Sequence, residues 1–320
     1  MDDLTPLHQL VEGMGEAPVL LYRPGLTYRL QRAGRGGDRA MQNPPNGAVI
    51  RYYLAEEPEK DVEVTLTFLD SGGEEVRSFS RKAEDGDDAE DDDDPKVPVE
   101  AGMNAFVWDL TYPPLELPDG TMDYMGYSGG PTVVPGSFQV KLTVGEWSQT
   151  QPLEVLKDPR LPHVTEAQLR EQMELGFRIR DRMAETYGAI ETVQSVREQA
   201  KAVADRAEKG GFGEELKTMA DSMAAHLESI EVELVQTKAE SDQDMINFPP
   251  QLDNQFGYLY GQLAPAYGPP TEPERARLRE LEEELALLRG ALQALLDTDL
   301  ADFNRKVREL GVGPVVIPKF

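Results

Sequence analysis

Through the first half of the chain apolar residues recur at every second position. Val62-Glu63-Val64-Thr65-Leu66-Thr67-Phe68-Leu69 alternates apolar and polar side chains, the period of a strand with one buried face. Asp70-Ser71-Gly72-Gly73 supplies a hairpin turn, and Glu75 to Phe79 returns as its partner. Ser137 to Val144 alternates again, and Gly145-Glu146 turns it into a run from Trp147 to Leu156. Shorter β-rich runs are Val19–Tyr22, Thr27–Leu30, Ala48–Leu54 after the turn Asn43-Pro44-Pro45-Asn46-Gly47, and Asn104–Leu110. Trp108 falls in phase with Phe106 and Leu110 and is expected in the core.

The period then changes. Asp158-Pro159-Arg160-Leu161-Pro162-His163 makes a stiff joint, because proline supports neither helix interior nor sheet ladder. Beyond it Thr165 can cap a helix in which Leu169, Met173, Phe177, Ala184, Tyr187, Ile190, Val193, Ala200, Val203 and Ala207 follow at about 3.6-residue spacing. Gly210-Gly211 ends it. Leu216, Met219, Met223, Leu227, Ile230 and Leu234 mark a second helix, and a short third lies near Asn254 to Leu263. Thr271 and Pro273 open the last helix. Its seam, Leu278, Leu281, Leu285, Leu288, Leu292, Leu295, Phe303, Val307 and Leu310, has coiled-coil spacing, with Asp299 interrupting. Such a stripe cannot be buried alone. It packs against the preceding helices or joins a second copy, so a homodimer through helix 274–310 is one expectation.

These patterns predict an α+β chain: an Ig/fibronectin-like antiparallel β-sandwich over 1–157, a joint at 158–163, an antiparallel α-helical bundle over 164–312 and a C-terminal tail, 313–320. The tail residues Val315-Val316-Ile317-Pro318 are apolar and should dock. An acidic stretch, Glu84 to Asp94, interrupts the strands. It reads as a solvated hairpin tip, since it lacks the ligand pattern of an EF-hand.

Composition narrows the chemistry. Hydrophobic residues make up 39% of the 320, enough for a packed core. There is no cysteine, which excludes disulfides, thiolate catalysis and iron–sulfur clusters. The three histidines, His8, His163 and His226, lie far apart, so no metal site is expected. A formal net charge of -27 opposes nucleic acid and anionic lipid. No apolar run reaches the roughly 18 residues of a membrane span, and Met1-Asp2-Asp3-Leu4-Thr5-Pro6 has no signal-peptide character.

No G-x-S-x-G, P-loop or H-E-x-x-H motif occurs. The loop from Tyr112 to Pro135 is the one segment with candidate chemistry. Its tyrosines Tyr112, Tyr124 and Tyr127 stand near Glu116, Asp119 and Asp123. Paired carboxylates with aromatics suit a glycosidase, and the same residues suit a carbohydrate- or protein-binding patch. The third reading is a crossover whose Tyr and Met residues pack on the core or the helices. The residues predict no catalytic set and no cofactor, and the chain is not expected to be an enzyme.

Asn43-Pro-Pro-Asn-Gly-Ala-Val-Ile-Arg-Tyr-Tyr-Leu54, Ala101-Gly-Met-Asn-Ala-Phe-Val-Trp-Asp-Leu110, Gly130-Pro131, Pro135-Gly-Ser-Phe-Gln-Val140 and Asp158-Pro159-Arg160 occur in this order. Together they resemble the C-terminal region of bacterial sortilin-like, BNR-repeat β-propeller proteins, often labelled glycosyl hydrolases. Asp2-Asp3-Leu4-Thr5-Pro6-Leu7 resembles the segment that leaves the propeller in that family, and Gly72 to Val144 also resembles the Ig-like domain of flagellar hook-capping proteins. The resemblance implies a β-sandwich followed by helices, appended to a propeller in an exported, extracytoplasmic protein. A sandwich with no polar constellation, the leucine seam and the acidic tip point to a non-catalytic structural and interaction module, the accessory part of such a protein, with a propeller or another protein as partner. A carbohydrate-binding or hydrolase-associated role for the 112–135 loop is the alternative, with a glycan as ligand. No Asp-box is present, so a hydrolase label finds no residues here to carry it. On the residues alone, a cytoplasmic location stays open.

Overall fold

A computed structural model describes residues 9, 17–30, 45–81, 95–118, 129–209, 213–239, 244, 246–311 and 315–317. The chain divides into two compact units. The first comprises Met1–Pro113, Gly129–Met173 and Pro265–Pro269; the second comprises Pro114–Ser128, Glu174–Ala264 and Pro270–Phe320. The acidic stretch 84–94 lies outside the described residues.

The first unit holds eight strands, β1 (Val19–Leu21), β2 (Thr27–Arg29), β3 (Ala48–Leu54), β4 (Val64–Leu69), β5 (Glu75–Ser80), β6 (Gly102–Trp108), β7 (Gly136–Val144) and β8 (Trp147–Lys157). Each coincides with an alternating or β-rich run, because alternation buries one face and leaves the other to water. In β3, Ala48, Ile50, Tyr52 and Leu54 point inward. One sheet has the order β1-β3-β6 and the other β2-β8-β7-β4-β5. Residues from both sheets enter one core, in which Trp108 stacks on Phe68 at 4.3 Å and meets Phe138 edge-on at 5.8 Å. The turn into β3 requires glycine. Gly47 has φ +143°, and a Cβ there would sit 2.1 Å from the Trp108 carbonyl oxygen.

The expected Ig/fibronectin-like antiparallel sandwich followed by an antiparallel bundle does not hold. β2 runs parallel to β8, with Thr27 opposite Val155 and Arg29 opposite Lys157, so the five-stranded sheet is mixed. Alternation records which face of a strand is buried. It does not record the strand's neighbour or direction, and a three-residue strand carries too little pattern to choose.

The helices are α1 (Glu166–Lys209), α2 (Gly213–Leu234), α3 (Leu252–Leu263) and α4 (Glu272–Leu295), which continues through a π-helical turn, Leu296–Leu300, into α5 (Ala301–Glu309). Reciprocal capping boxes start two of them. Thr165 and Gln168 exchange backbone N–H bonds at α1, as do Thr271 and Glu274 at α4. In the second unit the seam residues Leu278, Leu281, Leu285, Leu292 and Leu295 are buried with Ile179, Val193, Leu227 and Phe256 of the other helices. Those leucines are therefore inaccessible to a second copy unless the unit opens. Charged groups align the same helices. Arg178 makes two bonds to Glu282, at 2.7 and 2.5 Å, Arg289 pairs with Glu185, and buried Glu231 accepts from Arg197 and from Gln194.

Candidate functional site

The base of the 112–135 loop is built from two strand-like edges. Tyr112 N–H donates to Pro131 O at 2.9 Å, Val133 N–H donates to Leu110 O at 2.8 Å, and Thr111 bridges Thr132. The approach is so close that a Cβ on Gly130 would lie 1.8 Å from the Tyr112 carbonyl oxygen. Arg77, buried beneath, donates to Thr111 Oγ1 at 2.7 Å and to Tyr112 O at 3.2 Å. Asp109 Oδ1 accepts from both Thr111 N–H and Thr111 Oγ1. Tyr112 is half-buried, and desolvation raises its phenol pKa.

Of the six candidate residues of this loop, Tyr112 and Glu116 are among the described residues. Tyr112 belongs to the first unit, whereas Glu116 is exposed in the second. Leu115 and Leu117, on either side of Glu116, pack against the helical core. Asp119, Asp123, Tyr124 and Tyr127 lie outside the described residues.

Three polar centres escaped the sequence patterns. In the first unit Arg29 points inward from β2, only 4% exposed. It donates to Val133 O at 3.0 Å and to Gln172 Oε1 at 2.7 Å, and its guanidinium lies over the Tyr267 ring at 5.4 Å. Burial pulls its pKa down to about 10, and the Tyr267 phenol opposes that shift. Beside it, wholly buried Asp158 accepts a bidentate bond from Arg160, and Asp158 N–H donates to the Tyr267 hydroxyl at 2.8 Å. The chain reaches this inverted arrangement because Thr27 and Arg29 take the inner phase of β2 and Leu26, Tyr28 and Leu30 the outer one. A charged residue in phase with a threonine is the only trace in the sequence.

The second centre is in the helical unit. Asp253 is buried in the first turn of α3 with Oδ1 lacking a hydrogen-bond partner among the described residues, and burial raises its pKa to about 7. Tyr260, two turns on, has a buried hydroxyl without a partner among the described residues, and burial pushes its pKa up. The third centre is a pair of amides, Gln199 and Asn304, bonded to the main chain at Val315 and Val316.

The remaining chemistry is sparse. His163 and His226 are exposed, and His8 lies outside the described residues. His226 Nδ1 contacts Asp299 Oδ2 at 2.8 Å, and the nearby Ser229 hydroxyl is turned to the His226 carbonyl oxygen. Among the described residues no group of three or more His, Asp or Glu is placed to hold a metal. No described helix is long and apolar enough to cross a membrane. No family model, curated protein or solved structure matches the chain.

Proposed function

We propose that the chain is a non-catalytic structural and interaction module, the accessory part of a propeller-type exported protein. One observation carries this reading: in the first unit Arg29, Arg77, Asn104, Gln149 and Gln151 are spent on main chain of their own unit. Arg29 holds Val133 O, and Arg77 holds Tyr112 O. Asn104 bonds both the N–H and the C=O of Glu100. Gln149 accepts from Leu21 N–H while Gln151 donates to Leu21 O, which closes the open side of β1. Catalysis needs the opposite economy, with polar groups held ready for a substrate. The outer phase along β2, the edge strand of its sheet, is apolar: Tyr28 and the flanking Leu26 and Leu30 are 39%, 66% and 40% exposed. Such a row favours a protein partner over a small molecule. The sequence resemblance supports a propeller as that partner and an extracytoplasmic location.

The test is an assay of the full chain against chromogenic glycosides and on a glycan array, with neither turnover nor binding expected. Turnover that Glu116→Gln abolishes overturns the proposal. Array binding that Tyr112→Ala abolishes would move the reading to the carbohydrate-binding alternative.

A further inference from the structure

The segment after α5 is held in a way that packing alone does not explain. Gly311, at φ +70°, stops the helix. Val315 is then 5% exposed within the core of the helical unit, while Val316 is 63% exposed. Two side-chain amides grip the backbone between these extremes. Asn304 Oδ1 accepts from Val315 N–H at 2.7 Å, and Asn304 Nδ2 donates to Val315 O at 3.0 Å. Gln199 Oε1 accepts from Val316 N–H at 3.0 Å, and its Nε2 donates to Val316 O at 2.9 Å. The second Nε2 hydrogen goes to Ser195 Oγ at 3.0 Å, which fixes the orientation of the Gln199 amide.

In an extended chain the N–H and C=O of one residue point to one edge and those of the next residue to the other. Val315 is therefore read on one edge by Asn304 of α5, and Val316 on the other by Gln199 of α1. The two helices supply both edges of a one-strand sheet, with four bonds to the main chain and one pocket for a β-branched side chain. Nothing in this arrangement reads the Val316 side chain, which faces solvent. The groove asks of its occupant four main-chain bonds and one aliphatic anchor.

We propose that this groove binds the Val315–Val316 segment of a second copy, and that the chain's own segment is the latch that fills it in the monomer. The seated segment shows which sequence satisfies the groove. Exchange between copies keeps all four main-chain bonds and the anchor, so only the entropy of association opposes it.

The experiment mixes two full-length variants. Val315→Asp keeps the groove and spoils its own anchor; Asn304→Leu keeps the segment and spoils the groove. Each alone is expected to sediment as a monomer, and the mixture as a one-to-one complex. A synthetic peptide covering residues 311–319 should bind Val315→Asp about 10²-fold or more tightly than the wild type, whose latch competes at high effective concentration. The same peptide should dissolve the mixed complex. If Val315→Asp does not fold, Val316→Pro replaces it, since proline removes the N–H that Gln199 accepts and restricts the backbone of Val315 before it. Folded variants that form no mixed complex overturn the proposal. Peptide binding without a mixed complex overturns it equally, because the groove would then read peptides but not a second copy.

Discussion

Two buried ionisable residues show how differently a charge fares inside this chain. Arg29 gives its protons to two oxygens and the face of a tyrosine, so it stays charged at neutral pH although burial lowers its pKa to about 10. Asp253 has no comparable reception. Its Oδ2 accepts from the Asn254 side chain at 3.2 Å, while Oδ1 is buried without a partner among the described residues. Desolvation then outweighs the backbone hydrogen bonds that act against it, and the pKa rises from 3.8 to about 7. Between those two values the folded state keeps a proton that the unfolded state has released. The contribution to stability is therefore fully present below about pH 4, declines as pH rises, and is lost above about pH 7. The full effect is on the order of 4 kcal/mol. Urea denaturation followed by helical circular dichroism should show this as a difference between wild type and Asp253→Asn. The variant should be the relatively more stable protein at about pH 8 and lose that advantage at about pH 5. Equal pH slopes would mean that Asp253 does not take up a proton on folding.

At the scale of elements, the interruption of the leucine seam at Asp299 has a structural answer. The π-helical turn Leu296–Leu300 adds one residue, so the buried series runs Leu295, Leu300, Phe303 and Val307, and Asp299 is carried round to His226. Removing Thr298 should convert the π turn to α-helix and keep both halves of the seam in phase. The expected loss is below about 1 kcal/mol. Removing exposed Ala291, which lies in regular helix, should rotate everything after it by about 100° and cost several kcal/mol or abolish folding. Equal losses for the two deletions would show that the extra residue has no accommodating role. The strands and the α-helical runs were legible in the sequence, because alternation, helical spacing, glycine breaks and the caps Thr165 and Thr271 are local signals. The π turn was visible only as a misfit, since a 3.6-residue template has no place for a five-residue step. The Gln199 and Asn304 clamp left no trace, because a polar residue on a helix surface looks the same whether it meets water or a distant main chain.

At the scale of the whole chain, neither the mixed sheet nor the buried Arg29 centre could be read ahead. Both depend on which distant segments meet, as β2 does with β8 and Arg29 with Gln172. Charge is different, because it needs no contact map. The chain has 59 acidic and 32 basic residues and a formal net charge of -27. Salt acts on it in two opposed ways. It weakens exposed pairs such as Arg277–Glu280, Arg279–Glu272 and Arg305–Asp302, but each of these is worth roughly 0–1 kcal/mol. It also screens repulsion among acidic residues that outnumber every available cation, and that repulsion acts over a Debye length of about 10 Å at 0.1 M salt and about 3 Å at 1 M. The second effect should win. Melting temperature is expected to rise by several degrees from low salt to about 0.5 M sodium chloride and then level off as screening saturates. A continuous fall over that range would show that the ion pairs on the helices, and not the excess of carboxylates, set the electrostatic balance of this chain.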